Sequence, residues 1–112
     1  MNRRIIKKPW GYEDIWAETK DYVGKIIHIK KGSRLSKQFH KRKDETVYVL
    51  EGILVNYDAN DNVELYSEGE SLHVEAGKIH RFGATETQSV TLIEVSTANL
   101  NDIVRLEDDY GR

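Results

Sequence analysis

Apolar and polar residues alternate with period two along several short stretches of the chain. The clearest are Lys25 to Lys31 (KIIHIKK), Thr46 to Gly52 (TVYVLEG) and Ser89 to Ser96 (SVTLIEVS). Alternation among β-branched residues turns one face of an extended strand to a core and the other to water. Turn-forming clusters break the pattern at Lys31-Gly32-Ser33, Arg42-Lys43-Asp44, Asp58 to Asn62, Glu68-Gly69-Glu70 and Ala76-Gly77-Lys78. Short strands with turn signals about 8–12 residues apart predict an antiparallel sandwich or barrel. No long segment carries a helical period. In the tail, Ala98 to Tyr110, the spacing of Leu100, Ile103, Val104 and Leu106 predicts a short helix or turn that ends before Gly111.

At 112 residues the chain has the size of one domain, so a single domain over 1–112 is expected to carry the chemistry. Seventeen Lys and Arg against 19 Asp and Glu leave a formal charge of -2, which argues against a phosphate-backbone binder and so against nucleic acid. There is no cysteine, which excludes disulfides, thiol redox chemistry and a zinc ribbon. Any metal must then be held by His, Asp, Glu or Gln side chains. The basic start reaches Pro9 and Trp10 before any apolar run of signal length, and no stretch approaches the ~20 apolar residues of a membrane span. A cytoplasmic protein without membrane contact is expected. A domain this small buries only about 65% of its unfolded surface, so pairing of two chains would add useful burial.

Gln38 and His40 are two residues apart, so on a strand both point to one face. The charged turn Lys41 to Asp44 then starts a return strand whose first residue, Glu45, comes back beside them. Further on, the segment from Gly69 ends a strand, turns at Gly77 and begins another with His80, a fourth convergent ligand. The run Lys41, Arg42, Lys43 reads as a solvated turn. Trp10, Tyr12 and Trp16 read as packing residues, in the core or at a subunit seam.

These two segments resemble the paired motifs of the cupin superfamily. The first runs glycine, five residues, ligand, one residue, His, four residues, Glu, six residues, Gly, here Gly32, Gln38, His40, Glu45 and Gly52. The second has Gly69, Gly77 and His80 in place, with Glu75 where proline is usual and Ala84 where asparagine is common. A narrower resemblance, over Lys8 to Arg112, is to the cupin-type phosphomannose isomerases, often found as the C-terminal half of a bifunctional mannose-1-phosphate guanylyltransferase. It rests on Lys8-Pro9-Trp10-Gly11-Tyr12-Glu13, on Leu35 to His40, and on Asp102 to Arg112.

The resemblance implies a small all-β cupin barrel or double-sheet jelly roll, and a metal bound by Gln38, His40, Glu45 and His80. Zinc is the first expectation, with manganese, cobalt or iron as alternatives. It implies interconversion of mannose 6-phosphate and fructose 6-phosphate through an enediol, with no nucleotide chemistry. It also implies a homodimer that exchanges an N-terminal arm, Lys8 to Trp16. For the phosphate, Arg105 is the first candidate, joined by Arg81, Lys78 and Lys37. Arg105 and Lys37 are the candidate catalytic cations, and Lys25, Lys37, Lys78 and His73 are open alternatives for the general base. Two other readings stand beside the isomerase. One is a cupin lyase or iron dioxygenase on His40, Glu45 and His80; the other is a non-catalytic sugar-binding cupin.

Overall fold

The three alternating stretches lie in β3 (Tyr22–Ile29), β5 (Glu45–Glu51) and β10 (Val90–Thr97), which are neighbours at the centre of one antiparallel sheet. The structure is a computed structural model and describes residues 3–98 and 101–111. Its other strands are β1 (Arg4–Lys8), β2 (Gly11–Glu18), β4 (Lys37–His40), β6 (Leu54–Tyr57), β7 (Val63–Tyr66), β8 (Ser71–Val74), β9 (Arg81–Gly83) and β11 (Ile103–Glu107). The large sheet runs β1-β2-β3-β10-β5-β8. Register sets its inner face: Leu92 lies opposite both Ile27 and Val49, while Glu94 lies opposite Lys25 and Val47.

The second layer is made of β7-β6-β9 and β11-β4. Single bridges Arg34–Gly83 and Gln38–His80 join these two pieces edge to edge. Ile27, Ile29, Val47, Val49, Leu72 and Leu92 of the large sheet form one apolar cluster with Leu54 and Phe82 of the other layer. This is the expected all-β double-sheet architecture; the hydrogen-bonded sheets remain separate and do not close into one continuous barrel. No described helix is long and apolar enough to cross a membrane.

One expectation changes. The tail is a strand: β11 pairs antiparallel with β4, placing Ile103 opposite His40 and Arg105 opposite Gln38. The β-branched pair Ile103-Val104 suits an extended chain, and the free edge of β4 supplies the ladder partners that a short isolated helix lacks. Leu100, part of the helical expectation, falls outside the described residues. The N-terminal segment Lys8 to Trp16 lies in the large sheet, where β1 and β2 form a hairpin and β2 pairs with β3. Trp10, in the turn of that hairpin, is buried in the core, whereas Trp16 is 38% exposed and packs over Gly24. Tyr12 stacks on His28 at 5.2 Å between ring centroids.

Candidate metal centre

Alternation along β4 sends Gln38 and His40 inward and Lys37 and Phe39 the other way. A turn over 41–44 reverses the chain so that β5 opens with the buried Glu45. Asp102 fixes this turn, its carboxylate accepting the backbone N–H groups of Arg42 and Lys43. On the second motif, the turn Glu75 to Lys78 needs a left-handed residue, which Gly77 supplies at φ +84°. The Gly77 N–H donates to the His40 carbonyl at 2.7 Å, and Gln38 and His80 exchange two backbone hydrogen bonds of 2.9 Å. The two motifs are thereby held side by side.

His40, Glu45 and His80 bring one donor atom each to within 4.8 Å of one another. His80 Nε2 is 3.2 Å and His40 Nε2 3.5 Å from Glu45 Oε1. All three atoms are buried without a hydrogen-bond partner. Each imidazole spends its Nδ1–H on a carbonyl, His40 on Asp102 and His80 on Lys78, at 3.0 Å in both cases. That leaves the Nε2 lone pairs facing inward. Two imidazole nitrogens and a carboxylate oxygen, all acceptors turned on one point, fit a divalent first-row cation.

Burial works to raise the Glu45 carboxyl, but its contacts with Glu94, His40 and His80 and the charge of Lys43 outweigh it and hold it far below the ordinary carboxylate range. Glu94 moves the other way, pushed up to about 8 by burial and by the charge of Glu45. Lys43 lies between them, its Nζ 3.2 Å from each carboxylate. Burial opposes its charge, yet the two carboxylates raise it above the ordinary lysine value. The expectation of a solvated turn therefore holds for Lys41 and Arg42, which are exposed, and is corrected for Lys43, which is only 4% exposed.

These groups open on a cavity of about 280 Å³ whose wall includes Ile27, Leu35, Phe82, Gln38 and Arg105. Gln38 faces this space, with its Oε1 accepting the Ser36 hydroxyl at 2.6 Å. Arg105 also lines it, and its guanidinium makes no hydrogen bond or ion pair with another described residue.

The other cations expected at the phosphate are elsewhere. Lys37, on the outward face of β4, pairs with Asp61 at 3.2 Å. Lys78 is exposed and contributes only its carbonyl. Arg81 is buried as a structural clasp, donating to the Leu35 carbonyl at 2.9 Å and to Asp109 at 2.9 Å. Among the alternative bases, His73 lies at the surface against Asp44. Lys25 does line the cavity, held between Glu13 at 3.4 Å and Glu94 at 3.9 Å. Sequence reasoning missed Glu13, Lys43, Glu94 and Lys8, which also line the cavity. The available signal was parity: Lys25 and Glu94 occupy core-facing positions of otherwise apolar strands, where an unpaired charge is too costly to keep.

Residues 1–108 match the family described as mannose-6-phosphate isomerase C-terminal. The chain is 33% identical over 112 residues to xanthan biosynthesis protein XanB of Xanthomonas campestris pv. campestris, covering 97% of this chain and 24% of that protein. It is likewise 33% identical to mannose-1-phosphate guanylyltransferase ManC of Salmonella typhimurium, covering 97% of this chain and 23% of ManC. The chain thus spans about a quarter of the length of these relatives. In fold it resembles a conserved protein with a double-stranded β-helix domain from Klebsiella pneumoniae, with TM-score 0.77 and 18% identity over 96% of this chain and 89% of that one. It also resembles a cupin-like protein from Thermotoga maritima, with TM-score 0.78 and 14% identity over 87% of this chain and 76% of that one.

Proposed function

The chain belongs to the mannose-6-phosphate isomerase C-terminal family of cupins, and on that footing we propose that it is a metal-dependent aldose–ketose isomerase acting on mannose 6-phosphate and fructose 6-phosphate. The observation that carries this reading is the convergence of three buried donors, His40 Nε2, His80 Nε2 and Glu45 Oε1, beside a cavity that Arg105 also lines. Zinc or another first-row divalent ion held there would polarise the sugar carbonyl and stabilise the developing enediolate oxygen.

The chain's own residues supply the rest. Arg105 takes the phosphate, since its guanidinium lines the cavity without a hydrogen bond or ion pair to another described side chain and can grip the anion through two N–H groups. Ile27, Leu35 and Phe82 form an apolar wall that limits water around the reacting carbons. Four cations, Lys8, Lys25, Lys43 and Arg105, face the space against Glu13, Glu45 and Glu94, so an anionic substrate is favoured once a dication is added. Among the bases considered, Lys25 alone reaches the cavity, clamped between two carboxylates. A homodimer belongs to this reading: Trp16, Tyr22, Tyr48 and Val95 are exposed, and a second copy would cover them.

The test is a proton NMR time course of metal-loaded protein with mannose 6-phosphate in heavy water. Formation of fructose 6-phosphate with loss of the C2 proton signal supports the isomerase and its enediol route. Absence of both, with zinc, manganese, cobalt and ferrous iron loaded in turn, removes it. One observation favours a second reading, an iron dioxygenase: His40, Glu45 and His80 converge as a two-His, one-carboxylate set. Iron-dependent oxygen uptake would select that alternative.

A further inference from the structure

The two oxygens of Glu45 have different neighbours. Oε1 faces the two imidazole Nε2 atoms at 3.2 and 3.5 Å, whereas Oε2 is 3.2 Å from Lys43 Nζ. Lys43 is itself held from behind, 3.2 Å from Glu94 Oε2, and all three side chains are 4% exposed or less. A buried ammonium in contact with two buried carboxylates is expensive to desolvate and is retained only where the geometry is good. Its position is fixed further by the backbone, because the Lys43 N–H donates to Asp102, the residue whose carbonyl also orients His40. Lys25, 3.9 Å from the same Glu94 oxygen, closes the row.

From this arrangement we propose that Lys43 is a positioning residue for the metal centre. It holds Oε2 of Glu45 away from the cluster, so that the carboxylate offers a single oxygen, Oε1, and coordination positions stay open for substrate. The inference rests on the metal reading above. Glu94 is the rear anchor: without it Lys43 would have one partner, and its ammonium would be free to follow either oxygen of Glu45. Groups that orient a ligating carboxylate commonly change metal affinity by roughly 10–100-fold when removed.

Cobalt(II) is the probe, because its visible absorption reports coordination number as well as binding. Wild type, Lys43→Met and the double variant Lys43→Met/Glu94→Leu are titrated with cobalt and their folding is followed by circular dichroism. The double variant removes both members of the supporting pair together, so it remains a test if the single variant, which leaves Glu94 without its nearest partner, does not fold. The expected result is folded protein that binds cobalt roughly 10–100-fold more weakly, with a weaker visible band as Glu45 engages through both oxygens. Unchanged affinity, or weaker binding with an unchanged spectrum, overturns the inference. A wild-type protein that takes up no cobalt fails at the earlier step and removes the metal reading itself.

Discussion

Gln38 and His80 exchange two backbone hydrogen bonds of 2.9 Å, so residues 42 positions apart in sequence are neighbours in one strip of sheet. The strip is short, but it sets the distance between the imidazoles that the two motifs contribute. The ring centroids of His40 and His80 stand 5.4 Å apart. Several consequences of that placement are open to measurement.

Replacing His80 with alanine removes one of the three convergent donors and leaves Glu45 buried with less compensation. Metal content after dialysis should fall at least tenfold, read by elemental analysis against wild type. Full occupancy in the variant would show that His80 is not a ligand.

Arg105→Ala should act on the sugar phosphate and spare the metal. A lost charge-assisted hydrogen bond is worth ~1.5–3 kcal/mol, or roughly 10–100-fold in affinity. Calorimetric titration with mannose 6-phosphate measures the loss, and unaltered affinity would assign Arg105 to the surface.

The Asp109 clasp sets an acid limit for the tail. Its hydrogen bonds with Arg34, together with the charges of Arg81 and Arg34, hold Asp109 below the ordinary aspartate value. A depressed carboxylate contributes stability above its unfolded pKa, near 4, and loses it as pH falls through the lower folded value. Because the Asp109 and Arg34 side chains are 43% and 39% exposed, screening limits the contribution to about 1 kcal/mol or less. Protection of the β11 amides, taken relative to their intrinsic exchange rate, should therefore fall below about pH 4. Asp109→Asn should show the lowered protection at every pH, and a variant with the wild-type profile would remove the clasp from the account.

Leu92 is fully buried and lies opposite Ile27 and Val49 at the centre of the large sheet. Truncation to alanine should cost ~2–5 kcal/mol in chemical denaturation, while a cost below about 1 kcal/mol would mean that the two sheets close over the gap.

Much of this arrangement was legible in the sequence because strands have a strict period. Two-residue spacing put Gln38 and His40 on one face, and the turn after them returned Glu45, without help from the rest of the chain. The tail was misread because Leu100, Ile103, Val104 and Leu106 satisfy a helical spacing, and only the free edge of β4, a tertiary fact, decides for a strand. Arg81 looked like a phosphate ligand beside His80. Adjacent strand residues face opposite ways, however, and its guanidinium is consumed by Leu35 and Asp109. Lys43 could not be separated from Lys41 and Arg42 by composition; what distinguishes it is Glu94 on a strand far away in sequence.

The C-terminal segment meets the site twice and is anchored once beyond it: the Asp102 carbonyl accepts the His40 Nδ1–H, Arg105 lines the cavity, and Asp109 is clasped by Arg34 and Arg81. A strand that orients a ligand cannot be thermodynamically independent of whatever that ligand holds. If loading the centre favours the seated strand, seating the strand must favour loading by the same factor. Breaking the clasp some distance from the imidazoles, as in Arg34→Ala, should then weaken metal binding, and metal should slow amide exchange in β11. A coupling clearly different from zero, seen in both measurements, would make the C-terminal strand a working part of the centre; two null results would leave it a bystander.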